Sequence, residues 1–150
     1  MRPSVSGILG IVVDAFRVSA AFRAAGRGNI DQAMRELSRV GEFTSKTFEV
    51  RLLKGALYSH MKNHLAATDE LLAAVRAVKA DSRVGAADAN YLIAYAFQYW
   101  AYSAHEIGLQ PADEAKSILK VQSPVETNSV SSHLRTKFPL KVPLQGIVVR

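Results

Sequence analysis

Cysteine is absent from this 150-residue chain. Disulfides, thiolate metal ligands and cysteine nucleophiles are therefore excluded, and the composition fits a reducing compartment. No apolar run approaches the roughly 18 residues that a membrane-spanning helix needs. The apolar stretch after Arg2 is interrupted by Asp14 and Arg17. Its apolar spacing continues helically to Phe22, which argues against a cleaved secretory signal. A cytoplasmic protein without a membrane segment is expected. Acidic residues are missing from positions 127–150, where Arg135, Lys137, Lys141 and Arg150 supply four of the six excess positive charges. A basic end of this kind attracts nucleic acid, acidic proteins or anionic lipid, or serves solubility alone.

Lysine and arginine are missing in turn from residues 86–108, and what fills that stretch is aromatic. It holds four of the five tyrosines, the one tryptophan and one of the six phenylalanines. On a helical wheel of about 100° per residue, Leu92, Ile93, Ala96, Phe97, Trp100, Ala104 and Ile107 form one apolar face. Tyr91, Tyr95, Tyr99 and Tyr102 form a neighbouring stripe, which leaves Asn90, Gln98 and His105, with Ala94 and Ala101, to meet water. A helix apolar over most of its circumference belongs at the centre of a bundle.

The remaining pattern is also helical. A first helix over residues 7–25 turns Ile8, Ile11, Val12, Ala15, Ser19 and Phe22 to one side before Gly26 and Gly28 break it. A second, from Asn29 or Asp31 to Gly41, faces Ile30, Ala33, Met34, Leu37 and Val40 inward. A third runs from Thr44 or Ser45 to Met61, carrying Phe48, Leu52, Gly55, Ala56 and Tyr58. After a turn at Lys62 and Asn63, a fourth over residues 64–80 buries Ala67, Leu71, Ala74, Val75 and Val78. A short helix over residues 112–121 follows the aromatic one, with Pro111 suited to its start. Beyond Ser123 no helical period is evident. Phe138, Leu140, Val142 and Leu144 alternate with Pro139, Lys141 and Pro143, an extended or polyproline pattern. So apolar a tail is expected to dock, either on this chain's own groove or on that of a second copy.

Shifting the first helical pair by 34 residues lays Arg17 on Arg51, Asn29 on Asn63, Ala33 on Ala67, Glu36 on Glu70 and Leu37 on Leu71. Gly55, Tyr58, Ala67 and Leu71 follow a small, aromatic, small, large-apolar order, with Ala21, Gly28, Ala33 and Leu37 in the first copy. In this the chain resembles the tetratricopeptide repeat, whose period is 34 residues. Arg17 and Arg51 depart from that pattern where a large apolar residue is usual, as does Lys54 before Gly55, and no proline closes either repeat. The resemblance covers residues 14–121, with the aromatic helix opening a third, irregular copy. It implies an all-α fold of antiparallel helical hairpins over residues 1–121 and protein or peptide partners, while the pattern of residues 122–150 itself gives the extended basic tail.

The chemistry-bearing residues point away from catalysis. His60 and His64 have metal-ligand spacing, but Lys62 and Asn63 break the helical face they would share. His105 and Glu106 point apart on a helix. His133 lies among serines without an orienting acid. Gly26-Arg27-Gly28 lacks the context of a phosphate loop. No cofactor or metal is expected. The expectation is a non-catalytic adaptor or chaperone-like module that takes a protein segment in a helical groove. Tyr91, Tyr95, Tyr99 and Tyr102 are its candidate apolar anchors, and Arg17 and Arg51 its charge partners. The same tyrosines serve equally as core, and the same arginines as edge residues reaching solvent. The rival function is a basic accessory protein that binds nucleic acid through the tail and the arginines.

Overall fold

The computed structural model describes residues 5–120 and 129–139, and among them the chain is all-helical with no strand. Its helices are α1 (Val5–Gly26), α2 (Ile30–Ser38), α3 (Glu42–Ser45), α4 (Phe48–His60), α5 (His64–Ala80), α6 (Ala86–Glu106), α7 (Asp113–Ile118) and α8 (Ser132–Lys137). No helix is long and apolar enough to cross a membrane among the described residues. α1 packs on α2, α4 on α5, and α5 on α6, while α4 also touches α1, α2 and α6.

The aromatic helix α6 is central, as its composition requires. Leu92, Ile93, Ala96, Phe97, Trp100 and Ala104 are buried, and so are Asn90 and Ala94, which the helical wheel assigns to water. Ile107 is exposed instead, because α6 has already ended at Glu106. α5 buries the five apolar residues its periodicity selects.

α1 differs more. Its buried residues are Asp14, Ala21 and Ala24, with Val18 and Phe22 packed alongside, whereas Ile11, Val12, Ala15 and Ser19 are exposed. The partner helix α2 has only nine residues, so it covers only part of the longer α1. Asp14 instead ties α1 to α3. Its carboxylate accepts from the Gly41 N–H at 2.9 Å and from the Thr44 hydroxyl at 2.8 Å.

Four further expectations need correction. α2 ends at Ser38, three residues short of Gly41, in a tight turn whose Arg39 carbonyl accepts from the Arg17 guanidinium. The third predicted helix is two, because Thr47 takes an extended backbone (ψ 150°) and acts as the N-cap of α4. Pro111 precedes α7 without entering it, since Ala112 is the N-cap. The tail is not wholly extended. Residues 132–137 form α8, and Val130, Leu134 and Phe138, spaced by four, are buried. Interspersed serines hide that spacing beside the more obvious alternation that begins at Phe138. Leu140, Val142 and Leu144 lie outside the described residues.

The 34-residue offset extends to backbone detail. Asn29 N–H bonds the Ala24 carbonyl at 2.9 Å, and Asn63 N–H bonds that of Tyr58 at 2.9 Å. Gly28 (φ 77°) and Lys62 (φ 62°) hold equivalent left-handed positions in the two turns. A lysine there strains against its own Cβ by about 1–2 kcal/mol, partly offset by the entropy a glycine loses on folding. Lys62→Gly should therefore stabilise the protein by about 0.5–1 kcal/mol, and Gly28→Ala should destabilise it by a similar amount. Chemical denaturation of both variants checks the pair, and equal signs would refute the equivalence.

Candidate binding site

α1, α4 and α6 together form a receiving face, and the chain's own residues 129–139 lie on part of it. At one end of this segment the Asp88 carboxylate accepts from the Ser131 N–H at 2.9 Å and from its hydroxyl at 2.8 Å. At the other end the Tyr91 hydroxyl donates to the Phe138 carbonyl at 2.6 Å. The fully buried Phe138 ring meets Phe22 edge-on (centroids 5.3 Å apart) and Tyr95 (5.1 Å). Lys137 pairs with Glu49 at 3.1 Å and sits 5.3 Å from the Phe22 ring centroid.

The ring contacts continue from Tyr95 to Tyr99 (5.2 Å) and from Tyr99 to His60 (5.6 Å). There the face opens into a cleft of about 380 Å³. Phe22, Leu53, Leu57, Tyr95, Tyr99 and Pro139 are among its walls, and Arg23, His60 and Lys137 are its basic residues. No carboxylate lines it among the described residues. Its surface is thus apolar and aromatic with a cationic edge, suited to an apolar group that carries or neighbours negative charge.

The tyrosine stripe is therefore divided. Tyr91 and Tyr95 are buried, at 3% and 4% exposure, beneath the chain's own segment. Tyr99 is half-buried in the cleft wall. Tyr102 is exposed elsewhere and packs edge-on against His64, at 5.4 Å. Arg17 and Arg51, despite their shared period, do not line the cleft. Arg17 is held by the Arg39 carbonyl, with Asp14 at 3.9 Å. Arg51 faces Glu70 at 3.5 Å and donates to the Lys46 carbonyl at 3.3 Å. Phe22 belongs to the apolar face read from the first helix, and the residues that sequence reasoning passed over are Glu49, Asp88 and Leu134. Only the last carries a sequence signal, its spacing of four from Val130 and Phe138.

Burial pushes the Tyr95 hydroxyl well above the usual tyrosine range, assisted by the neighbouring Tyr99, and burial raises Tyr99 as well. The neutral form is the one the fold protects. Stability from these groups is thus complete below pH 10, the unfolded value, and is lost as pH climbs through their raised folded values. An alkaline absorbance titration should show the Tyr95 and Tyr99 phenols ionising late, coincident with unfolding. Ionisation of these two at the ordinary tyrosine value in the folded protein would contradict the burial.

The polar cluster between α4, α5 and α6 lies in the packed interior. His64 Nδ1 lies 2.9 Å from the Ser103 hydroxyl, itself 2.5 Å from that of Ser59. Ser103 is fully buried, out of reach of a substrate. His60 ends α4 and His64 opens α5, so the pair does not share a helical face. No group of three or more His, Asp or Glu side chains is placed to hold a metal among the described residues. Comparison with protein families, curated proteins and solved structures yields no match to this chain.

Proposed function

We propose that this protein is a non-catalytic interaction module of stacked, tetratricopeptide-like helical hairpins, an adaptor or chaperone-like protein of the cytoplasm. It takes a segment of a partner protein on the face of α1, α4 and α6. The observation that carries the reading is the open aromatic cleft of about 380 Å³ beside Tyr99. Two features support the hairpin stack. Helices pack successively in the order α1–α2–α4–α5–α6, while α4 also touches α1 and α6, which stand two places away from it in that order. The paired turns at Gly28 and Lys62 share their geometry. Within this reading the charge partner is Arg23, which lines the cleft, in place of Arg17 and Arg51, which are engaged elsewhere.

Peptide display against the full chain tests the reading. Selected segments should carry an apolar anchor, and Tyr99→Ala should weaken them about tenfold or more, as truncation of a central aromatic does. Tyr102→Ala, outside the cleft, should leave them unchanged. Raising salt from 50 to 200 mM should alter affinity by less than about threefold, because few charges take part. A nucleic-acid complex with six phosphate contacts would weaken about a thousandfold over that range. Such a fall, or indifference to Tyr99→Ala, would overturn the reading.

A further inference from the structure

The segment over residues 129–139 is held in the manner of a ligand. Its three apolar anchors, Val130, Leu134 and Phe138, are buried at spacings of four, while Ser132, His133, Arg135 and Thr136 face solvent. Two of its fixing points are main-chain groups that any segment supplies. The Ser131 N–H goes to Asp88, and the Phe138 carbonyl accepts from Tyr91. The receptor groups stand on α1, α4 and α6. A helix of six residues has little stability alone, so α8 owes its order to the face it lies on. The receiving face also continues past this segment. The cleft beside Tyr95 and Tyr99 has Thr136, Lys137 and Pro139 along one wall, so an occupant with greater reach gains surface that the resident segment leaves uncovered.

We propose that the face of α1, α4 and α6 is a receptor for a short protein helix of the pattern Ser-x-x-Leu-x-x-x-Phe. Residues 129–139 are then its resident occupant, which a partner helix of the same pattern displaces. This rests on the binding role proposed above and names the partner class. The serine takes the N-cap position of the incoming helix and gives its N–H and hydroxyl to Asp88, as Ser131 does. The leucine enters the buried apolar cluster that Leu134 now occupies, and the phenylalanine enters the ring ladder between Phe22 and Tyr95. A basic residue preceding the phenylalanine meets Glu49. The resident copy, being tethered, holds the site at an effective concentration on the order of millimolar. The face therefore opens to a partner only when the resident anchors weaken or the partner binds more tightly.

The test uses the full chain and a fluorescent synthetic peptide of residues 129–139. Anisotropy should show the peptide binding Phe138→Ala protein at least tenfold more tightly than wild type. Ser131→Ala, which removes only the hydroxyl bond to Asp88 and leaves the core untouched, should shift affinity in the same direction. The peptide carrying alanine in place of its own phenylalanine should not bind either variant. Equal affinity for all three proteins would overturn the proposal, as would binding that ignores the peptide's phenylalanine. A doubled mass for the unliganded variants would assign the face to a second copy and overturn it too. Loss of this peptide's binding while display-selected segments still depend on Tyr99 would sink the exchange and leave the module reading standing. Failure of both assays would remove both.

Discussion

Leu71→Ala should cost about 3–5 kcal/mol and lower Tm by roughly 10 °C. Leu71 is fully buried in α5, within the cluster that joins α4, α5 and α6. It packs where Gly55 leaves out a side chain. A Cβ placed on Gly55 would lie 2.5 Å from both Cγ and Cδ2 of Leu71 and 3.4 Å from its backbone nitrogen. Gly55→Ala in the wild-type background therefore forces α4 and α5 apart or drives Leu71 off its rotamer, at about 1–3 kcal/mol. In the Leu71→Ala background the same methyl enters vacated space, and its cost should fall to near zero. Denaturant unfolding of the four proteins closes the cycle. A coupling of about 1–3 kcal/mol is expected, and simple additivity would mean that the two residues do not share the contact. The equivalent pair, Ala21 and Leu37, is also buried but already carries a methyl at the small position.

This pair shows why the helical framework was legible in the sequence. Apolar spacing locates α5 and α6 because both are surrounded by other helices, so periodicity and burial coincide. The 34-residue offset works for a similar reason. Small residues at 21, 55, 33 and 67 and leucines at 37 and 71 mark places where packing leaves little choice. α1 failed the same test, since periodicity reports which residues share a face and not whether a partner helix is long enough to reach it. Exposed Ile11 and Val12 make that point.

The site was less legible, because its parts are distant in sequence. Four tyrosines on one helix announce an aromatic stripe, but nothing in their spacing separates Tyr91 and Tyr95, covered by residues 129–139, from Tyr99 in an open cleft or Tyr102 on another surface. That division is made by a segment far downstream, Phe138 lying 47 residues beyond the Tyr91 that holds it. Arg17 and Arg51 mislead for the opposite reason. Their regular spacing reflects a repeated position on the first helix of each pair, where local carbonyls and carboxylates satisfy them. Glu49 and Asp88 lack any local signature, because each acquires its partner, Lys137 or Ser131, only when the end of the chain returns.

Phe138→Ala is the second large effect, and its form matters more than its size. Truncating a fully buried phenylalanine removes about 3–5 kcal/mol when the site cannot escape. Here the residue belongs to a terminal segment that shares the apolar cluster of α4–α6, yet α4, α5 and α6 also contact one another directly, so the segment is expected to lift away while they stay packed. The loss in global stability is then capped at the docking free energy of residues 129–139, and the remainder appears as local opening. Hydrogen exchange should record this directly. The Phe138 amide, bonded to the Leu134 carbonyl at 2.8 Å, should exchange on the order of a hundredfold faster, while the α5 amides keep most of their protection. The Tyr95 phenol should ionise at lower pH, back toward its ordinary value, because the burial that raises it is partly the Phe138 ring. Leu71→Ala should do the reverse, weakening protection throughout α4–α6 and leaving no selective change at Tyr95. If Phe138→Ala instead lowered α5 protection as far as Leu71→Ala does, residues 129–139 would be an inseparable part of the core. Their exchange with a partner helix would then be closed off.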